Sequence, residues 1–246
     1  MAGNRVPGQR LQGIAIRLTG AAVVIAAVGL TAARYDLVPK LTGFMAFVGG
    51  GLVAALALVL GLIALVRGRG QGSPGRGGLM AAVLVALGYA GFIVSRPLLA
   101  ADLPPIHDVT TDLANPPQFE VLPLREDNLA GVGSVENWRR IHAGAYGHIK
   151  PVIIARPVAQ VTQEAAALAK RQGWTVVVSD PARGHIEATA SVSYIRFRDD
   201  VVIRITPTPN GTGSRVDMRS VSRIGVSDLG VNAKRISAFL QALQGG

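Results

Sequence analysis

Ser214 to Ile236 reads SRVDMRSVSRIGVSDLGVNAKRI, and these 23 residues hold a strand, a turn and the start of a helix. Arg215 to Arg223 is the strand, with Val216 and Met218 on its inward face. Asp228 stands where a helix N-cap belongs, ahead of a helix over Leu229 to Leu243 whose buried stripe is Ile236, Phe239, Leu240 and Leu243. Into the same stretch are packed Asp217, Arg219, Ser220, Ser222, Arg223, Ser227, Asp228 and Asn232, in a chain that is 49% hydrophobic. So dense a polar cluster is either a structural hydrogen-bond network or a binding surface.

Three further strands precede it. Asn210-Gly211 marks a hairpin turn before the last strand. Val201 to Pro207 places Val201, Ile203 and Ile205 on one face, and Arg198-Asp199-Asp200 reads as the turn leading into it. Gly184 to Phe197 alternates, with Ile186, Ala188, Ala190, Val192 and Tyr194 together, and Trp174 to Ser179 is a short apolar run. Before these, Pro157 to Gln172 reads as a helix that Gly173 ends, with Val161, Ala165 and Leu168 on one side. The order predicts an α+β domain: an antiparallel four-stranded meander with two helices on one face, over residues 151–246. Residues 101–150 are punctuated by Pro and Gly and read as an extended arm, with one helix over Ser134 to His142 capped by Ser134.

The first hundred residues are of another kind. Leu41 to Val66 is 26 residues without a charge, Gly77 to Ser95 gives 19 more, and Ile14 to Ala33 gives 20 broken only by Arg17. At 1.5 Å per residue each approaches or exceeds the roughly 30 Å of a hydrocarbon core, so three transmembrane helices are expected. Glycines at 20, 29, 49–51, 61, 88 and 91 suit close helix packing, and no Asp, Glu, Lys or His lies mid-span, which favours an anchor over a transport path. Arg5, Arg10 and Arg17 precede the first span, and Arg67, Arg69 and Arg76 lie between the second and third. The positive-inside rule then puts the N-terminus in the cytoplasm and the tail outside, in the periplasm if the membrane is a bacterial inner membrane. Thr31-Ala32-Ala33 also loosely resembles a signal-peptide cleavage site, and the tail lies outside under that reading too.

Charge and cysteine content remove whole classes of function. Of the net +10, residues 1–100 carry +8, from nine Lys/Arg and one Asp, so the excess sits beside the lipid and nucleic acid is not expected as a partner. No cysteine means no disulfide, no thiolate metal site and no thiol catalysis. His107, His142, His148 and His185 lack ligand spacing, so neither a metal nor a cofactor is expected.

Several spaced motifs carry a family resemblance: HDVTTDLANPPQF at His107 to Phe119, Gly173-Trp174, Ile186-Glu187-Ala188, FRDDVVIR at Phe197 to Arg204, and RSVSRIGVSDLGVNAKRI at Arg219 to Ile236. The tail resembles the domain of unknown function 1499 family, whose bacterial relatives often carry three membrane helices ahead of the domain. The resemblance implies kinship and leaves the function open.

Each candidate site has two readings. In the closing motif, Arg219 and Arg223 either pair with Asp217 or Asp228 while Ser222 and Ser227 bond backbone and Asn232 braces the helix, or Arg219, Ser222, Arg223 and the helix N-terminus at Asp228 form an anion or polar head-group site. In the opening motif, Asp108, Thr110, Thr111, Asp112 and Asn115 either bond their own backbone or cross the sheet to complete a site with the closing motif. Asp199 and Asp200 read as a solvated turn, with a metal or acid/base pair as the sharper alternative. The structural reading is preferred in each case. No G-x-S-x-G elbow accompanies Ser220 or Ser222, which share a strand face. The expectation is therefore a membrane-bound, non-catalytic domain that binds an envelope lipid, glycan or protein partner. A hydrolase using Ser222 or Asp199/Asp200, or a structural subunit of a membrane complex, stands as the alternative, with the oligomeric state open.

Overall fold

The computed structural model describes residues 7–68 and 75–245, and the chain divides into two compact units, the first running to Ala101 with Tyr194–Arg196 assigned to it, the second comprising Asp102–Ser193 and the chain from Phe197 onward. Arg5 and Arg69, counted above as topology signals, lie outside the described residues.

The first unit is three helices, α1 (Pro7–Arg34), α2 (Lys40–Arg67) and α3 (Arg76–Leu99), each long and apolar enough to cross a membrane. Their shared faces are lined by small residues such as Ala22, Ala54, Ala57 and Ala86, while Leu52, Leu84 and Val28 point outward. Gly43 shows why the contact needs glycine: a Cβ there would overlap Ala33 and the Gly29 carbonyl. Gly29, Gly50, Gly51 and Gly61 are used in the same way, whereas Gly20, Gly49, Gly88 and Gly91 face open space.

The second unit begins with β1 (Asp108–Thr110), α4 (Val135–Tyr146), β2 (Val152–Ile154) and α5 (Val158–Arg171). It continues with β3 (Thr175–Asp180), β4 (His185–Val192), β5 (Phe197–Pro207), β6 (Ser214–Ser222) and α6 (Val231–Gly245). The expected meander is there as β3-β4-β5-β6, all antiparallel, but the sheet has six strands rather than four. β1 and β2 share the outer edge of β6, β1 against Arg219–Val221 and β2 against Ser214–Val216. At three residues each, neither is long enough to show a period of two. The stretch before Lys150 is therefore no mere extended arm: it supplies a strand and a third helix to the core.

Alternation in the meander sends Ile186, Ala188, Val201, Ile203, Ile205, Val216 and Met218 to one face, where all are buried against helix side chains including Val161, Ile236 and Phe239. Trp174 stacks on Phe239 with ring centroids 4.9 Å apart. The β4–β5 turn is Ser193–Arg196, set by the pairing of Val192 with Phe197, and not Arg198–Asp200 as the sequence suggested. Ser193 and Arg196 take φ of 63° and 57° without the help of Gly or Asn, which is why the turn leaves no compositional mark. The Asn210 turn is as expected, its Oδ1 accepting from Thr208, and from Thr212 twice. Ser134 caps α4 by accepting the Asn137 N–H at 3.1 Å. α6 starts at Val231, two residues later than expected, because Leu229 and Gly230 have positive φ.

Candidate functional site

Because side chains along β6 alternate, the closing motif divides between the two faces of the sheet. Ser220 and Ser222 face α6. Ser220 Oγ donates to Asn232 Oδ1 at 2.7 Å, and Asn232 Nδ2 donates to Ser222 Oγ at 3.0 Å and to the His107 carbonyl at 2.8 Å. Asp228 accepts the N–H groups of Gly230 and Asn232 and so caps α6, and Ser227 Oγ donates to the Pro104 carbonyl. Burial raises the Asp228 carboxyl above its ordinary value of 3.8. Arg235, one helical turn beyond Asn232, donates to Ser220, to Asn232 Oδ1 and to Asp199 Oδ2, the last at 2.6 Å.

Arg219 and Arg223 lie on the opposite face. Arg219 pairs bidentately with Asp108 through Nε and Nη2, at 2.9 and 2.6 Å, and also donates to the Pro117 carbonyl. Its partner is neither Asp217 nor Asp228, the two that the sequence offered. Arg223 likewise pairs with Asp200 at 2.8 and 2.9 Å and donates to Thr189 Oγ1. Asp217 is held instead by Arg215 and Arg204, with Asp112 completing the cluster and Thr111 Oγ1 donating to Asp217. Ser222 bonds the Asn232 side chain rather than turn backbone.

Asp199 and Asp200 are 3% and 4% exposed, so they are not a solvated turn. They sit in β5, and their alternation sends Asp199 to Arg235 and Asp200 to Arg223 on opposite faces. The pair is thereby separated. Likewise Arg219 and Ser222 do not converge on one point, and both arginines already hold a carboxylate.

The opening and closing motifs do meet. Besides the Asp108–Arg219 pair, Thr111 N–H donates to the Met218 carbonyl and Met218 N–H to Thr111 Oγ1, continuing the sheet where β1 stops. Asp112 also caps its own turn by accepting from Ala114 and Asn115 N–H, so local and cross-sheet bonding coexist there. The Asn115 carbonyl accepts from Arg204, and Phe119 lies under the Arg219 guanidinium at 6.0 Å.

Sequence reasoning passed over Glu187, which is fully buried. Its carboxylate accepts three successive N–H groups, from Glu120, Val121 and Leu122 at 2.6 to 3.2 Å, and faces His185 Nε2 at 2.9 Å. Burial alone would raise its pKa, but those hydrogen bonds outweigh it and hold the group below its ordinary 4.5. The available signal was a lone acid, the one carboxylate of β4, sharing the polar side of the alternation with His185 and Thr189. The clasp holds a strap across the charged face. On either side of Leu124–Glu126 lies a hollow, one of about 370 Å³ over Phe119, Val221 and Arg223, the other of about 460 Å³ over Asp108, Trp138 and Arg219.

The histidines stand apart: His142 Nε2 accepts the Thr110 N–H, His107 meets Asn128, and His185 meets Glu187. Burial lowers the His142 pKa below 6.5 and raises that of Tyr146 to about 12. Among the described residues no group of three His, Asp or Glu gathers as a metal-ligand set.

The fold and site define a class: an α+β domain with a sheet braced by ion pairs, following three helices of membrane-crossing length. The family model described as "Protein of unknown function (DUF1499)" matches residues 108–243, more than half of the chain, and the protein belongs to that family. Among curated proteins there is no match.

Proposed function

We propose that this is an integral protein of a bacterial inner membrane whose periplasmic domain is a non-catalytic binding module for an envelope amphiphile. The site is the pair of hollows flanking Leu124–Glu126. The observation that carries this reading is their position beside the meeting of the opening and closing motifs at Asp108 and Arg219. Their walls combine apolar side chains (Phe119, Pro123, Leu124, Val221, Leu129, Val135) with the ion pairs Asp108–Arg219 and Asp200–Arg223, and the Glu126 carboxylate lines both. Such a surface suits a ligand with an apolar body and a neutral or zwitterionic polar part better than a bare anion. The arginine distribution supports a cytoplasmic N-terminus, and the three apolar helices support the anchor.

Geometry favours binding over hydrolysis. Ser222 is buried against Asn232, and Asp199 and Asp200 each hold an arginine, so no nucleophile with a facing base stands in either hollow.

Leu124 lines both hollows and is 40% exposed, so Leu124→Trp fills them with stability changed by no more than about 0.5 kcal/mol. Native mass spectrometry of the full chain released from detergent should show a retained amphiphile on the wild type and its loss from the variant. An equal lipid load on both proteins would overturn the reading.

A further inference from the structure

The loop joining β6 to α6 exposes three large apolar side chains within six residues: Ile224 at 39%, Val226 at 51% and Leu229 at 49%. Single exposed hydrophobics are ordinary on a protein surface, but this group is held in place. Gly225 carbonyl accepts from Arg125 at 2.7 Å, Asp228 N–H donates to the Ile106 carbonyl, and Ser227 donates to the Pro104 carbonyl. Val226 rests over Gly131, where a Cβ would come within 3.3 Å of it. Leu229 is fixed at φ 54°, a conformation that a leucine seldom adopts, with half of its side chain in solvent.

Chain continuity says what meets this tip. Pro104 and Ile106, to which the loop is bonded, follow Leu99 at the end of α3 by only five and seven residues. At no more than about 3.6 Å per residue, five residues give a covalent path of at most about 18 Å. A rigid apolar tip on so short a tether from a membrane-crossing helix can reach the lipid interface, where such side chains settle roughly 5–10 Å deep.

We infer that the β6–α6 loop is an interfacial contact of the domain, with Ile224, Val226 and Leu229 resting in the head-group layer of the bilayer that α1–α3 cross. The inference rests on the membrane-anchor part of the function proposed above.

The natural chain has no cysteine, so single-cysteine labelling is direct. The full chain carrying Val226→Cys, labelled with an environment-sensitive fluorophore, is placed in phosphatidylethanolamine/phosphatidylglycerol nanodiscs with and without acyl-brominated lipid. Leu52→Cys on α2 and Val177→Cys on β3, both exposed, are the reference sites. Bromolipid should reduce the emission from the labels at 52 and 226 and leave that at 177 unchanged, with blue-shifted emission at 226. Emission at 226 matching that at 177 would overturn the inference. So would a blue shift at 226 without bromolipid quenching, which would mean that protein, such as a second copy, covers the loop. Loss of quenching at 52 would instead overturn the anchor reading itself.

Discussion

On the side of the sheet that meets α5 and α6, Ile186, Ile203 and Met218 are buried among apolar neighbours. One residue along the same strands, the other side carries Glu187, Arg204, Asp217 and Arg219, with only Val202 and Val221 buried as apolar members. The first side is held by burial, which is non-directional and tolerates repacking. The second is held by paired charges, which accept one partner in one geometry. A buried ion pair is weak grounds for stability, since desolvation offsets much of its attraction. What the charged side offers is specification: a slip of β6 against β5 by one residue would put Arg219 into the apolar core. One sheet thus separates cohesion from register.

The sharpest way to break that comparison is Asp108→Ala, which leaves the Arg219 guanidinium buried and unpaired and should cost about 3–5 kcal/mol in urea unfolding. Replacing Asp108 and Arg219 together by leucine and methionine should restore most of the loss. If the double variant stays as unstable as the single one, the pair is not exchangeable with packing and the separation drawn here fails. Asn232→Ala tests the polar patch that interrupts the apolar side. It takes the Asn232 partner from Ser222 Oγ, and one of two partners each from Ser220 Oγ, which keeps Arg235, and from the His107 carbonyl, which keeps the Ser222 N–H, so about 1–3 kcal/mol should be lost.

The smallest effect is read from pH. His142 has a folded pKa below 6.5, so the unfolded chain takes up a proton first as pH falls, and stability declines from pH 6.5 downward until the folded value is passed. Glu187 adds a second decline beginning at 4.5, because its folded pKa is also depressed. Asp228 has the opposite sign: its raised pKa means that the folded state protonates first, and it returns some stability above 3.8. Thermal melts of the full chain in detergent should show the first decline, and His142→Gln, which keeps an acceptor for the Thr110 N–H, should remove it. A wild-type Tm that holds constant from pH 6.5 down to 5 would exclude this assignment.

Much of the apolar side was legible in the sequence, since period-two alternation in β4, β5 and β6 names its residues and Asn210-Gly211 names one turn. The charged side was legible as a crowd of polar residues but not as a set of pairs. Asp108 and Arg219 stand 111 positions apart, and nothing local chooses Asp108 over Asp217 as the partner. Asp199-Asp200 reads as a turn because both residues favour turns. Their burial depends on Arg235 and Arg223, which only the folded chain brings to them. Glu187 was hidden by its own regularity, one polar position in an alternating strand.

The place of β1 has a consequence for synthesis. It is the first strand made after the three apolar helices, yet its partner β6 ends at Ser222, so no β1 ladder can form until more than a hundred further residues have emerged. Contacts of such long range close late. For that interval the segment after α3 remains an unpaired strand edge, vulnerable to misassociation while the rest of the domain is still being made.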